Sequence, residues 1–282
     1  AGADNGSAQM WDVADAEHPA PLAHLDGPAG TVQSITFSNS GRLLAITGNS
    51  DTTTLWDVSN PHHPVSDAHL TGLASYGLSV SFSPDGQLLA VGSADKLVHL
   101  WDIANPRRPV PLPALAGATS YVYTTAFSPD GRVLAEGGAD DHVRLWDITS
   151  PRHAHRLVTL TGPTNYIYSL AFSPSGDTLA AATGGAITGS AWLWDVTKPA
   201  QPTLLATLTE PAGSVFADAF VPGRQAILAT GTRSGLLRLW NTSTAQVAAW
   251  VCSVAGDRIT RAEWAEYVPG FPYRPPCRRL SG

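Results

Sequence analysis

A Trp-Asp pair returns along this chain at a nearly constant interval, and that regularity limits the possible folds more than any other feature. The pairs are Trp11-Asp12, Trp56-Asp57, Trp101-Asp102, Trp146-Asp147 and Trp194-Asp195, with Trp240-Asn241 as a degenerate sixth; they stand 45, 45, 45, 48 and 46 residues apart. Upstream of the last five Trp residues, Phe37, Phe82, Phe127, Phe172 and Phe220 each end an alternating run. Residues 83–102, SPDGQLLAVGSADKLVHLWD, show the local grammar. Pro84 presets φ for a tight turn and Gly86 supplies a permissive backbone, so two strands meet there. A short apolar run follows at 88–91 and a second turn at 93–96. Residues 97–103 then alternate apolar with polar. Four short strands fit into each period.

A period in the forties, four strands and a closing Trp-Asp resemble the blade of the WD40 propeller family over residues 1 to about 250. The resemblance implies an all-β propeller of four-stranded antiparallel blades, five complete and one partial, followed by a short helical tail. The propeller is expected over 1–251, with a partial blade at 1–29 and full blades at 30–70, 71–115, 116–160, 161–208 and 209–251. Because the first residues read as the second half of a blade, at least two more strands are expected upstream. Pro-rich links at 60–64, 105–109 and 198–202 read as stiff turns, not as flexible linkers between domains. In the tail, 252–282, Thr260 and Glu263 fit a capping box opening a helix through Tyr267, with Trp264 and Tyr267 on the face that packs on the last blade. The tail resembles the terminal segment of bacterial, actinobacterial-type WD40 proteins that carry a STAND-type NTPase or Ser/Thr kinase module. That resemblance implies such a module in the same polypeptide, and a cytoplasmic location.

The net charge of -6 argues against a nucleic-acid partner, which requires a basic face. Residues 178–194 carry no charge, but Gly184, Gly185 and Gly189 and their place in the repeat make them two strands and a loop, so no membrane insertion is expected. Cys252 and Cys277 are the only cysteines. Two readings stand for them: a disulfide holding the tail to the propeller, contributing about 3 kcal/mol through loop closure, or two packed thiols in a reducing compartment.

Function is sought on the upper rim of the propeller. Counting back six and four residues from each Phe gives Thr31 and Gln33, Tyr76 and Leu78, Tyr121 and Tyr123, Tyr166 and Tyr168, and Ser214 and Phe216. These resemble the family's binding positions, and Tyr suits interface anchors because it pairs a large rigid surface with a polar tip. Tyr76, Tyr121, Tyr123, Tyr166, Tyr168 and Phe216 are therefore the candidate protein-binding residues. The competing reading is that the rings fill the channel mouth or stack between blades. The longer stretch 183–190 is expected to loop onto the same face.

The family's Gly-His before each first strand is missing: Pro28, Leu73, Ala118, Pro163 and Pro211 stand in the His position. The Asp before the third strand persists as Asp51, Asp95 and Asp140. With its His gone, the usual hydrogen-bonded set is not expected, and stability is assigned to the repeat Trp residues and aliphatic packing. Glu136, mid-strand where other blades carry Ile46, Val91 and Ala181, is expected to pair with an Arg or Tyr of the next blade.

No catalytic constellation, metal site or cofactor motif stands out. Asp85 and Asp130 repeat because turns favour them, and His62, His63, His153 and His155 sit in links without partner ligands. The sequence therefore points to a non-catalytic scaffold binding a protein or peptide, placed as the regulatory end of a larger signalling protein. The alternative is a free-standing propeller with a small-ligand or enzymatic site in its central channel.

Overall fold

A computed structural model describes residues 1–185, 189–210, 213–223, 226–243, 246, 247, 250 and 253. Among these residues, twenty-one strands form six antiparallel sheets in chain order. The first holds β1 (Ser7–Asp12) and β2 (Ala20–Asp26), and the second β3 (Val32–Phe37), β4 (Leu43–Gly48), β5 (Thr52–Asp57) and β6 (Val65–Thr71). The third holds β7 (Gly77–Phe82), β8 (Leu88–Ser93), β9 (Leu97–Asp102) and β10 (Val110–Ala116). The fourth holds β11 (Val122–Phe127), β12 (Val133–Gly138), β13 (Val143–Asp147) and β14 (His155–Leu160). The fifth holds β15 (Tyr166–Phe172), β16 (Thr178–Gly184), β17 (Gly189–Asp195) and β18 (Thr203–Glu210). The sixth holds β19 (Val215–Phe220), β20 (Ile227–Thr232) and β21 (Leu237–Asn241). The first strands β3, β7, β11, β15 and β19 pack on one another in succession, so they form the inner wall of a propeller.

The turn chemistry builds these sheets as the sequence predicts. Gly86 and Gly131 take φ of 70° and 72°, where a side chain would be strained. The Oγ of Ser83 and of Ser128 each accepts the backbone N–H five residues on, at 2.9 Å, which closes the first hairpin of its sheet. After each Trp, the Asp carboxylate accepts the backbone N–H two residues on, as Asp57 does from Ser59 and Asp147 from Thr149, both at 2.9 Å. That bond starts the Pro-rich link.

Burial lies between neighbouring sheets. Leu44, Leu89, Leu134, Leu179 and Leu228, each paired across the ladder with its Trp, are fully buried. Each contributes about 1.5–3 kcal/mol. Trp101, Trp146 and Trp194 are buried too, whereas Trp11 is 46% exposed on the two-stranded first sheet.

Three findings depart from the sequence reading. The sixth sheet has three strands among the described residues; where a fourth was expected, Gln246, Val247 and Trp250 are helical. The lost His network is replaced by residues two before the Trp on the third strand. His99 lies 2.8 Å from Asp95 and stacks on Trp101, and Arg144 donates to Asp140 at 2.7 Å. Both carboxylates also accept backbone N–H groups at the entry to their own sheet, from Ala74 at 3.0 Å and Thr119 at 2.8 Å. Burial pushes both carboxyls up, but these bonds outweigh it and hold them below the ordinary aspartate value. Asp51 makes no such tie; its contact is the Thr52 hydroxyl at 3.1 Å. Finally, Glu136 faces Arg144 of its own sheet at 3.8 Å, because the two are cross-strand partners. Burial raises its carboxyl to about 7, and Arg144 opposes the shift. Apart from Ser253, the tail, with Cys252, Cys277 and the proposed helix, lies outside the described residues.

Candidate functional site

The rim residues owe their direction to a repeated irregularity. In all five sheets with a first strand, the register between strands one and two slips by one residue near the start. The residues left unpaired there are Gln33, Leu78, Tyr123, Tyr168 and Phe216. A bulge of this kind turns the strand and re-aims the extra side chain. It lifts the position four before each Phe out of the packed alternation and onto the rim. The position six before the Phe is fixed by its carbonyl: Tyr76 accepts from Ala94, Tyr121 from Ala139 and Ser214 from Arg233, each at 2.9 Å.

Around the rim the chemistry is uneven. On the second sheet it is polar, with Gln33 donating to Asn49 at 2.9 Å. Tyr76 is half exposed on the third sheet, with the half-buried Leu78 beside it. Across the fourth, fifth and sixth sheets the rings are continuous. Tyr121 meets Tyr123 edge-on at 6.4 Å, and Tyr123 contacts both Tyr166 (6.1 Å) and Tyr168 (5.9 Å, stacked). Tyr168 meets Phe216 edge-on at 4.7 Å. Tyr121, Tyr166 and Phe216 nonetheless stay 40–48% exposed. The rings both pack on one another and present a surface. Burial, with Tyr166, Tyr168 and Tyr121 close by, raises the Tyr123 phenol above its ordinary value. It therefore stays protonated at neutral pH.

Beside the rings runs a groove of about 380 Å³ that sequence reading did not find. Tyr166, Tyr168 and Phe216 form one side; Asp141, Asn165 and Arg233 supply its polar groups. Its wall at Gly184 and Gly185 depends on glycine: a Cβ on Gly184 would stand 2.3 Å from the Cβ of Ser214, and one on Gly185 2.5 Å from Asn165 Oδ1. β16 and β17 extend two pairs further than the matching strands of the other sheets, Thr183 opposite Ser190 and Gly184 opposite Gly189, which carries the base of the 183–190 insertion to this face. Residues 186–188 lie outside the described set.

A family model described as WD domain, G-beta repeat matches residues 19–57, 65–102, 110–147 and 155–195, more than half of the chain. The chain belongs to the WD40-repeat family. Each matched WD40 unit starts on the outer strand of one sheet and ends at the Trp-Asp of the next, so the units interlock neighbouring blades. No curated protein matches the chain. WD40 repeats generally mediate protein–protein interactions, and the half-exposed aromatic rim is a surface of the composition such contacts favour. Among the described residues no group of three or more His, Cys, Asp or Glu side chains is placed to hold a metal ion, and no helix is long and apolar enough to cross a membrane.

Proposed function

We propose that this chain is a non-catalytic interaction platform that takes a protein or peptide partner on the aromatic half of its upper face. The observation that carries the reading is the unbroken series of five rings, from Tyr121 to Phe216, held in contact across three sheets while three of them stay 40–48% exposed. Channel filling alone would bury these rings. Rigid aromatics lose little entropy on binding, and prior contact with each other fixes them before a partner arrives.

The test is capture of partners by the 282-residue chain and by its Tyr121→Ala/Tyr166→Ala variant. The half-exposed positions should leave the melting temperature within a few degrees, while partner recovery falls at least tenfold, the scale of a hot-spot loss. Unchanged recovery with a folded variant would overturn the rim assignment. A place at the regulatory end of a larger bacterial signalling protein, with an NTPase or kinase module, is supported by the tail resemblance at 252–282. The intact mass of the native polypeptide tests it: a mass no larger than this chain's 29.6 kDa would remove the module from the proposal.

A further inference from the structure

Asp141 is an unusual residue for the turn it occupies. The matching position, five residues before the Trp, is Gly6 in the first sheet, Lys96 in the third and Gly235 in the sixth, and all have positive φ, from 74° to 84°. Asp141 adopts φ 63°, a region where glycine is at ease and an aspartate is tolerated at some cost. The fourth sheet thus places a carboxylate where the backbone asks for glycine. That carboxylate lines the groove beside Tyr166, Tyr168 and Phe216. Its Oδ1 is buried and has no hydrogen-bond partner. Its neighbour Asp140 is committed to Arg144 and to Thr119, so those donors do not reach across to Asp141. Asp141 thus brings a carboxylate with an unpaired oxygen to the groove that Tyr166, Tyr168 and Phe216 also line, on a chain of net charge -6.

We propose that the groove between the fourth and sixth sheets is a seat for a cationic side chain of the partner, with the guanidinium of an arginine the best fit. This rests on the reading of the aromatic rim as the partner-binding face. An arginine can stack its planar head on a Tyr ring and direct its N–H fork at one carboxylate at the same time. Arg233 stands in the same groove but belongs to the sixth sheet, so it favours seating the cation towards Asp141 and the fourth sheet. Arg233 and Asn165 then face the partner's carbonyls or an acidic neighbour. Each half of the groove selects for one sign of charge, which gives the bound segment a direction.

The experiment uses blocked hexapeptides of otherwise glycine sequence with one central arginine, or citrulline as its uncharged isostere. They are titrated against the full chain by NMR or tyrosine fluorescence. The arginine peptide is expected to bind at least tenfold tighter than the citrulline peptide. Asp141→Asn should remove most of that preference, because asparagine accepts the same backbone conformation but carries no charge. Tyr166→Ala should weaken the arginine peptide without moving the melting temperature, and Arg233→Gln should strengthen it two- to fivefold. Equal binding of arginine and citrulline peptides, or an unchanged preference in a folded Asp141→Asn protein, would overturn the cation seat. If Asp141→Asn leaves partner capture intact while Tyr121→Ala/Tyr166→Ala abolishes it, the rim remains an interface and only the cation seat is lost. If a neutral oligosaccharide binds the rings in preference to every peptide, both readings fail together.

Discussion

Leu145 and Leu239 hold the same place in the fourth and sixth sheets, one residue before the Trp, yet one is fully buried and the other 66% exposed. Leu237, two residues earlier, is 72% exposed where its counterpart Val143 is fully buried. The difference lies in the surroundings, not in the residues. In the fourth sheet this face packs against the fifth and joins a cluster with Ile167, Leu170 and Ala181. In the sixth no such cluster forms among the described residues on the Leu237 and Leu239 face, although Leu228 and Phe220 pack on the opposite side. A propeller sheet is stable through its neighbours, as in other repeat architectures, so the same side chain contributes very different amounts in a sheet packed on both faces and in one packed on a single face.

The largest expected effect tests that contrast directly. Leu145→Ala should cost about 2–5 kcal/mol, the range for a buried leucine leaving a cavity, whereas Leu239→Ala should stay within about 0.5 kcal/mol. Urea midpoints of the two variants read the difference. Comparable losses would show that the sixth sheet's outer face is covered in solution.

A second contrast lies between the fifth and sixth sheets. Two residues before the Phe, the first strands carry Ile35, Val80 and Leu170, and Thr125, whose hydroxyl lies 2.9 Å from Ser81 of the preceding sheet. The sixth sheet puts Asp218 there. Asp218 is buried, its main-chain N–H donating to the Ser169 hydroxyl at 3.3 Å. Burial raises its carboxyl to about 6, with Ser169 pulling the other way. A raised acid binds its proton more tightly when folded, so its stabilising contribution is present at low pH and lost as pH climbs from about 4 through 6. Asp218→Asn should therefore stabilise the chain by about 1–3 kcal/mol at pH 8, with the gain shrinking as pH falls through about 6 and approaching zero below about pH 4. A gain that does not change with pH would mean that the carboxyl is not titrating between these sheets.

Much of the architecture was readable because its causes are local. The Trp-Asp interval, the turn before Gly86 and the alternation of β9 act within a few residues and specify their hairpins without help. The rim tyrosines were legible by position, but the bulge that aims them was not. It inserts one residue with no shared Gly or Pro to announce it: of the five first strands only β7 holds a glycine, Gly77, and none holds a proline. The replacement of the lost His by His99 and Arg144 depends on where the third strand passes over the turn, a contact that no spacing rule describes. Residues 243–250, with Ala and Val among polar groups, suit a strand and a helix about equally, and only their neighbours decide. Asp141 was overlooked because adjacent aspartates in a turn are ordinary. Its backbone angle and its unpaired oxygen become visible only in three dimensions.

The smallest effect contrasts the same two sheets at the residue after the Trp. Asp147 accepts the Thr149 N–H at 2.9 Å and its hydroxyl at 2.6 Å, and these bonds hold its carboxyl below the ordinary value. Asn241 closes the equivalent turn of the sixth sheet with a neutral oxygen, accepting from Ser243 at 3.0 Å. Both shapes work, but only the aspartate couples the turn to pH. Because its folded form is the stronger acid, Asp147 contributes stability above about pH 4 and loses it as pH falls, the reverse of Asp218. The group is half-buried at the edge of its sheet and open to solvent on one side, so screening keeps its share below about 1 kcal/mol. Asp147→Asn should copy the sixth sheet: a loss under about 1 kcal/mol at pH 7 that disappears near pH 3, set against wild type by paired urea titrations. A loss of the same size at both pH values would show that the bond to Thr149 acts through geometry alone. The charge of the Trp-Asp pair would then be incidental to the turn it closes.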